Sequence, residues 1–404
     1  MPCFKARYVF PVSRPPVRDG IVSCDHVVHS LTENLSGEPI VDLGNVAILP
    51  ALVNAHTHLE LSHFQQPIGD PAHGFPAWIR EVVRWRRQQT ATLSPEEIEQ
   101  QRHAAIQDGL LESVRGGVGV VADITSLGPA PPLPQLPTRI AFAEVLGLST
   151  ARENELYETA EQAVGPWPKA EALSPHAPYT VGVPLLTRLA QLSAERGFPL
   201  AMHLAESVDE LELMRSHSGA FYTMLSEVGA WDPAALPRGI APLDYLKILA
   251  QAQHALVIHG NYLNSAEIDY LAEQSERLSV VYCPRTHAYF GHTRYPLLEM
   301  FRKGVKVAVG TDSRASNPDL KLWDELRYVA QQFPEVPLEV ILKMGTLWGA
   351  QALRGALGSP SCGELVPGAL ALLQIVDLPE DEVADPYELL FDPRAKVRQV
   401  IGLG

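Results

Sequence analysis

Two histidines separated by one residue, His56 and His58, are the first side chains of this chain whose types and spacing suit metal binding. They follow an apolar run over residues 48–53 that is interrupted only by Pro50, and such a run before a polar end is typical of a buried strand in a parallel sheet. Because side chains alternate between the faces of a strand, both imidazoles point to the same side, close enough to share one ion. The pair alone is weak support, since 14 histidines in 404 residues produce about half such a pair by chance.

Five more side chains that can bind metal or transfer protons stand at the ends of other apolar runs. They are His176, His203, Glu206, His259 and Asp312. A lone histidine at a strand end is more often structural, but buried imidazoles and carboxylates need polar partners. If the strands that carry these residues end on one side of the fold, the side chains meet there. We therefore predict a metal site built from them.

The apolar runs between residues 48 and 332 have strand length and alternate with amphipathic helical segments, which is typical of repeated β/α units. After the opening run, the predicted strands are 118–124, 140–146, 171–174, 199–204, 255–258, 278–282 and 305–309. The predicted helices include one after the N-cap Ser94 and others at 183–196, 265–276 and 320–332. Eight such units predict a (β/α)8 TIM barrel, whose catalytic residues lie at the C-terminal ends of the strands. A doubly wound sheet is the alternative, but the glycine-rich phosphate turn expected after its first strand is missing from the sequence.

The two ends of the chain have a different residue pattern. Residues 1–47 and 360–404 contain short apolar runs separated by Pro, Gly, Asn and Asp, a pattern typical of short antiparallel strands. We expect them to form one small β-rich domain, with residues 48–359 as the barrel domain. Two long connections, 60–87 and 207–252, follow the first and fifth predicted strands, and each suits either a substrate lid or a solvent-facing packing element.

Composition limits the partners and the compartment. The chain is 46% hydrophobic and 20% charged with a net charge of −15, which argues against nucleic acid or an anionic membrane as a partner. Its four cysteines are scattered without a C-x-x-C pair, as expected of reduced thiols in a cytoplasmic protein. Residues 1–17 have no apolar signal-peptide core, and no run of 18 apolar residues occurs. We expect a cytoplasmic enzyme with a small-molecule substrate.

The motifs around these residues resemble the amidohydrolase superfamily, and within it the branch of mononuclear-metal deaminases and chlorohydrolases. The similar segments are residues 50–59, 203–207 and 310–317, and the resemblance covers nearly the whole length. It implies a barrel beside a β-sandwich made from both termini. The metal ligands that it implies are His56, His58, His203 and Asp312.

The resemblance also implies the acid–base roles. Asp312 and His259 would orient the attacking water and accept its proton, and Glu206 would carry protons to the substrate's ring nitrogen and to departing ammonia. His176 would touch the substrate. Binuclear members have a carboxylated lysine at the end of the fourth strand, where this chain has Ser174-Pro175-His176. One divalent ion is therefore expected, and three imidazoles with a carboxylate suit either Zn(II) or Fe(II).

Three further residues are predicted to contact substrate. Glu144 ends the third strand and could bind a sugar or a ring nitrogen, although a structural carboxylate facing a helix fits its position equally well. Arg285 follows the seventh strand among histidines and aromatic residues, which suits recognition of a polar group beside a flat ring. Trp78 belongs to an aromatic element over residues 75–79 in the first long connection.

Residues 59–62, 75–79 and 283–285 are similar to enzymes that deaminate aminofutalosine, an adenine-bearing nucleoside of menaquinone biosynthesis. We therefore expect hydrolytic deamination of an amino-substituted heterocycle, with aminofutalosine as the first choice. Deamination of adenosine, methylthioadenosine, S-adenosylhomocysteine or guanine, and dechlorination of triazines, are the alternatives. Cyclic amide opening is disfavoured by the missing lysine and by Glu206, and a metal-free barrel that only binds ligands is the non-enzyme alternative. The resemblance and the apolar 207–252 insertion suggest a homodimer.

Overall fold

The computed structural model describes residues 2–34, 39–126, 137–165, 169–357 and 361–402. Within these residues the strands are, in chain order, β1 (Cys3–Lys5), β2 (Tyr8–Val9), β3 (Val17–Arg18), β4 (Ile21–Cys24), β5 (Val28–Thr32), β6 (Ile40–Asp42), β7 (Val46–Pro50), β8 (Leu52–Thr57), β9 (Val118–Thr125), β10 (Thr138–Val145), β11 (Ala172–Pro175), β12 (Leu200–Leu204), β13 (Ala255–His259), β14 (Leu278–Tyr282), β15 (Val307–Val309), β16 (Leu372–Asp377) and β17 (Lys396–Gly402). The α-helices are α1 (Phe75–Thr92), α2 (Pro95–Arg115), α3 (Glu153–Ala163), α4 (Val183–Arg196), α5 (Val208–Ser216), α6 (Gly219–Glu227), α7 (Pro242–Leu249), α8 (Ser265–Glu273), α9 (Pro284–Tyr289), α10 (Leu297–Arg302), α11 (Leu322–Gln332), α12 (Leu338–Met344), α13 (Leu347–Ala352) and α14 (Pro386–Phe391).

Strands β8 to β15 form the parallel sheet that the apolar runs predict. They are hydrogen-bonded in sequence order from β8 to β15, and β15 returns to β8 where the Thr311 N–H donates to the His56 carbonyl over 3.1 Å. A parallel bridge between Thr57 and Asp312 lies at the same point. The sheet is therefore closed, which confirms the (β/α)8 barrel.

The continuous apolar character of these runs follows from burial on both faces. Every residue of β8, β9 and β11 to β15 is buried, because the barrel interior covers one face and the helices cover the other. The predicted helices also form: α4 has the predicted bounds, and α2 begins with the predicted cap. There the Glu97 N–H donates to Ser94 Oγ over 3.2 Å, and the Ser94 N–H donates to the Glu97 carboxylate over 2.8 Å.

Two sheets outside the barrel contain the strands of the chain ends. One has the order β5-β4-β1-β6 and the other the order β17-β16-β7-β2-β3, so the second combines strands from both ends. β7 spans the predicted boundary between residues 47 and 48 and pairs with β16 as far as Pro50. The run over residues 48–53 is thus two strands that separate at Ala51. We propose Ala51 as the domain boundary; the second predicted boundary, between residues 359 and 360, lies outside the described residues.

The two long connections lie at the barrel mouth. The first contains α1 and the second contains α5, α6 and α7. Phe75 of α1 meets Phe221 of α6 with ring centroids 6.0 Å apart, so the two connections touch each other above the strand ends. In the described ranges, none of the helices has the length and apolar content needed to cross a membrane.

Candidate active site and metal centre

A cavity of about 450 Å³ opens at the C-terminal ends of the barrel strands. It collects eight of the ten predicted site residues: His58, Trp78, Glu144, His176, His203, Glu206, His259 and Asp312. His56 lies against this group, fully buried, and only Arg285 is elsewhere. A larger cavity of about 690 Å³, between α2, α11 and β17, contains none of them.

The imidazoles and the carboxylate have the spacing of one ion's ligands. His58 Nε2 and His203 Nε2 are 3.4 Å apart, and Asp312 Oδ1 lies 3.7 Å from His56 Nε2 and 3.9 Å from His58 Nε2. Zinc–nitrogen bonds of about 2.0–2.1 Å place tetrahedral ligands about 3.3 Å from each other. The ligand atoms of His56, His58 and His203 all lie within 4.8 Å of one another, as do those of His56, His259 and Asp312.

The state of the ring nitrogens also suits a cation. His56 Nε2 is buried and has no hydrogen-bond partner among the described residues. Leaving a buried polar atom without a partner costs folding free energy, so this nitrogen is expected to bind a ligand such as a cation. Burial, followed by the neighbouring imidazoles, lowers the pKa of His58 and His203 well below the usual value, so both rings are neutral. His203 Nδ1 lies 3.0 Å from the His176 carbonyl; donation to this oxygen leaves Nε2 as a free acceptor.

Asp312 is held as a carboxylate by its own strand end. The Ser313 N–H donates to Oδ1 over 2.7 Å and Ser316 Oγ donates to Oδ2 over 3.2 Å. Burial opposes ionisation, but the neighbouring imidazoles of His56 and His58 and the Ser313 N–H outweigh it and lower the pKa of Asp312. Asp312, Ala205 and His259 have φ values of 54°, 54° and 69°; such left-handed backbone in residues other than glycine is strained and recurs at functional sites.

Glu206 differs from Asp312 because it favours the protonated form. Its Oε1 lies 3.3 Å from His259 Nε2, and its side chain is buried. Burial, with smaller contributions from the charges of Asp312 and Glu210, raises the pKa of Glu206 well above the usual value. The pKa of Glu206 is raised and that of Asp312 is lowered, so the same cavity contains a carboxyl group suited to act as an acid and another suited to act as a base.

Glu210 of α5 positions Glu206 and was not predicted from the sequence. Its carboxylate accepts from the Ala205 N–H over 2.7 Å and from the Glu206 N–H over 2.9 Å, so it fixes the strained turn that carries the acid. Burial raises the pKa of Glu210 to about 7, although these donors act in the opposite direction. The only sequence signal was a glutamate one helical turn after Glu206.

Replacing Glu210 by Gln is expected to lower stability and turnover while the bound metal stays. The amide can accept only at its oxygen, so one backbone N–H loses its partner, at a cost of about 1–3 kcal/mol. Urea unfolding and kcat measure the two effects. Asp209→Asn, at a half-buried neighbour on the same helix, is the matched control; equal stability of the two variants would contradict the role of Glu210.

Polar and aromatic side chains form the rest of the cavity wall. His176 Nδ1 is 2.7 Å from Thr180 Oγ1, and His176 Nε2 is 4.0 Å from Glu144. Tyr179, which lines the cavity, stacks on Phe221 with centroids 4.2 Å apart. Trp78 Nε1 donates to the Ala315 carbonyl over 3.2 Å, which fixes its indole at the edge of the cavity. The sequence did not predict Tyr179, because its stacking partner comes from the separate 207–252 connection.

Arg285, which the sequence analysis predicts to contact substrate, is paired with two acidic side chains in the structure. Its Nε donates to the Glu325 carboxylate over 2.8 Å and its Nη2 donates to the Asp319 carboxylate over 2.7 Å, and Arg285 is not among the residues around the cavity. Glu325 is fully buried and also accepts from Asn317 Nδ2 over 2.5 Å. Arg285 is therefore the counter-ion of a buried carboxylate.

Replacing Arg285 by Met is expected to destabilise the fold by about 3–5 kcal/mol, because Glu325 would be left as an unpaired buried charge. Urea denaturation measures the loss. The double variant Arg285→Met with Glu325→Gln should recover most of it, because the uncompensated charge is removed. A loss below about 1 kcal/mol in the single variant, the value of an exposed ion pair, would contradict this role.

Comparison with known proteins identifies the family. The amidohydrolase family matches residues 47–401. The chain is 29% identical over 404 residues to the 5-methylthioadenosine/S-adenosylhomocysteine deaminase of Moorella thermoacetica, covering 94% of this chain and 86% of that protein. It is 28% identical over 323 residues to the aminodeoxyfutalosine deaminase of Deinococcus radiodurans, covering 76% and 73%.

A solved structure has the same fold. The aminofutalosine deaminase of Helicobacter pylori in complex with methylthio-coformycin superposes with a TM-score of 0.83 at 23% identity, covering 100% of this chain and 99% of that one. The protein is thus a hydrolase acting on C–N bonds, and the chain belongs to the amidohydrolase family.

Proposed function

We propose that the chain deaminates an adenine-bearing nucleoside by metal-dependent hydrolysis, with aminofutalosine as the first candidate substrate. The observation that carries this proposal is the place of Glu206: a buried carboxyl group 3.3 Å from His259 in the cavity that the histidine cluster also lines. Hydrolytic deamination adds water at the amino-bearing ring carbon and releases ammonia. A proton must reach the ring nitrogen and another must reach the leaving amino group, and one carboxyl beside the reacting carbon serves both transfers.

The residues His56, His58, His203 and Asp312 would hold one divalent ion. The unpartnered Nε2 of His56 and the 3.4 Å separation of the His58 and His203 Nε2 atoms fit this assignment. When bound, a divalent ion supplies a water-derived nucleophile at neutral pH. The ligand set of three imidazoles and one carboxylate suits Zn(II) or Fe(II).

The protein side chains orient and move the protons. The lowered pKa of Asp312 keeps it ionised, so its free carboxylate can accept the proton that the attacking water gives up. His259 is neutral because burial, with the nearby imidazoles, lowers its pKa, so it orients the water by hydrogen bonding. Glu206 enters the reaction protonated and donates to the ring nitrogen. As the carbonyl forms, it takes up the proton of the added hydroxyl group and delivers it to the departing amino group, and the proton held by Asp312 then restores Glu206.

The cavity walls suit a nucleoside. A volume of about 450 Å³ lies within the usual range for small-molecule sites. Tyr179 and Trp78 provide aromatic surface for a flat base, while His176 and Glu144 provide polar groups beside it. We propose that His176, Glu144 and Trp78 contact the substrate.

The test is metal content together with ammonia release. Purified protein is analysed by mass spectrometry for bound metal and is assayed with aminofutalosine, methylthioadenosine, S-adenosylhomocysteine, adenosine, guanine and a chlorotriazine. The proposal predicts one ion per chain and the highest kcat/KM for aminofutalosine. Metal-loaded protein that releases ammonia from none of the amino compounds would refute it.

We also propose a cytoplasmic homodimer without nucleic-acid or membrane partners. The net charge of −15 disfavours binding to polyanionic surfaces. Sedimentation velocity tests the oligomeric state, and a monomer at micromolar concentration would refute the dimer.

A further inference from the structure

One buried acid near the barrel mouth has no role in the proposed chemistry. Asp123 lies near the C-terminal end of β9 and is fully buried, but it is absent from the described wall of the cavity and from the described groups with metal-binding geometry. Its Oδ2 accepts from Arg139 Nε over 2.7 Å, and both side chains are buried. A buried ion pair is often no more stabilising than apolar residues of the same volume, so the position of this carboxylate needs another reason.

The other oxygen of Asp123 holds the peptide that follows the metal-site residue His58. Asp123 Oδ1 accepts from the Leu59 N–H over 2.8 Å. Residues Leu59–Leu61 form a single turn of 3-10 helix with His58 as its N-cap, and the first N–H groups of a helix need acceptors from outside the helix. The His58 side chain does not cap the turn, because its Nε2 faces His203 at 3.4 Å. Asp123 supplies an acceptor in its place.

Glu60 fixes the same turn through a second set of hydrogen bonds. Its carboxylate accepts from Thr125 Oγ1 over 2.6 Å, from the Ser126 N–H over 2.8 Å and from Ser126 Oγ over 2.7 Å. Arg102 of α2 also donates to it, over 3.3 Å. Because Thr125 is the last residue of β9 and Ser126 follows it, Asp123 and Glu60 both tie the turn to the end of one strand.

Helix α2 leaves the turn no space to move away from that strand. A Cβ atom on Gly109 of α2 would lie 2.8 Å from Leu59 Cδ2, well inside the normal separation of two carbon atoms. Leu59 itself is fully buried. The turn is therefore held between β9 and α2.

The ring of His58 depends on this backbone support. A histidine that binds metal usually donates its second ring nitrogen to a carbonyl or carboxylate, and His203 Nδ1 has the His176 carbonyl at 3.0 Å for this purpose. In the described part of the chain, His58 Nδ1 has no such acceptor. The orientation of its imidazole thus relies on the backbone that carries it.

We infer that Asp123 and Glu60 are positioning residues of the metal site: by fixing the turn that follows His58, they set the affinity of the site for its ion. The inference rests on the proposed metal site. Neither carboxylate belongs to the described groups with metal-binding geometry, so each acts through the backbone. Loss of a group that supports a metal ligand typically lowers metal affinity by about 10- to 100-fold.

The test compares two double variants that differ only in the acceptor at residue 123. Both contain Arg139→Met, so that no buried arginine is left unpaired. With Asp123→Asn, the amide oxygen can still accept from the Leu59 N–H; with Asp123→Val, no acceptor remains. The Zn(II)-loaded proteins are titrated with a chelator, and the measurement is the chelator concentration that removes half of the ion. We expect the wild-type concentration for the pair with Asp123→Asn and a concentration about 10-fold lower for the pair with Asp123→Val.

Urea unfolding of the chelated proteins separates positioning from a merely structural role, which would change stability without changing ion retention. Equal ion retention by the two double variants would overturn the inference. If the pair with Asp123→Val does not fold, Glu60→Met provides the test, because Arg102 keeps Glu99 as a partner at 2.7 Å. This variant should also lose its ion at a lower chelator concentration, and wild-type retention would overturn the inference. Failure of the proposed function looks different, since then the wild-type protein itself retains no ion.

Discussion

Replacing Glu206 by Gln is expected to abolish deamination and to leave the metal in place. Loss of a general acid–base group costs about 100- to 10,000-fold in rate, and Glu206 is proposed to serve in two proton transfers. Glutamine keeps the size and polarity of the side chain, and Glu206 is outside both groups of residues with metal-binding geometry. The expected result is therefore a fall in kcat with an unchanged ion content.

The reason is the environment that keeps Glu206 protonated. The side chain is buried, and this burial, with the charges of Asp312 and Glu210, raises its pKa well above the usual value. A glutamine at this position has no proton to give to a ring nitrogen. The variant should still bind the deaminated product, because the aromatic walls of the cavity are unchanged.

The measurements are kcat, product affinity and metal content on the same preparation. Glu267→Gln is a matched control, since Glu267 is another buried glutamate, located in α8 and absent from the cavity wall. It should keep wild-type kcat per folded molecule. A Glu206→Gln variant with the wild-type rate would exclude the proton-transfer role, and one without metal would show that Glu206 supports the ion.

The barrel and the convergence of histidines at one end of it were predictable because local patterns determine them. A strand buried on both faces must be apolar throughout, so β14 was predicted with its observed bounds. A polar residue directly after such a strand must lie at the C-terminal end of the barrel. His203 and Asp312 were therefore identified without knowledge of any tertiary contact.

The structure adds most to the sequence analysis where the partners of a residue come from distant segments. The composition around Arg285 suggested a ligand-binding cation, but the acid that pairs with it, Glu325, is 40 residues later and its burial cannot be read locally. The division of the run over residues 48–53 depends on pairing of β7 with β16 from the other end of the chain. Apolar periodicity continues across Ala51 and does not mark this change of sheet.

Replacing His203 by Ala is expected to remove the ion and, with it, the activity. The site would keep two nitrogen ligands instead of three and would lose affinity for the ion. A bound ion stabilises the transition state by several kcal/mol as a Lewis acid, so its loss is expected to lower the rate by about 1,000-fold or more. Mass spectrometry should find less than one ion per chain. His103→Gln is the control, since His103 pairs with Glu99 on α2, away from the cavity, and this variant should retain the ion.

Thermal unfolding with and without a chelator separates loss of the ion from loss of packing. An ion that binds only the folded chain stabilises it, by about 4 kcal/mol at a concentration 1,000 times the Kd, so chelation should lower the Tm of wild-type protein. If His203 acts through the ion, the Tm difference between wild type and His203→Ala should shrink when both are chelated, because only wild type had an ion to lose. The Tm difference that remains after chelation measures how much the packing of the buried imidazole contributes to stability. A Tm difference that chelation does not change would show that His203 is a structural residue and would refute its assignment as a ligand.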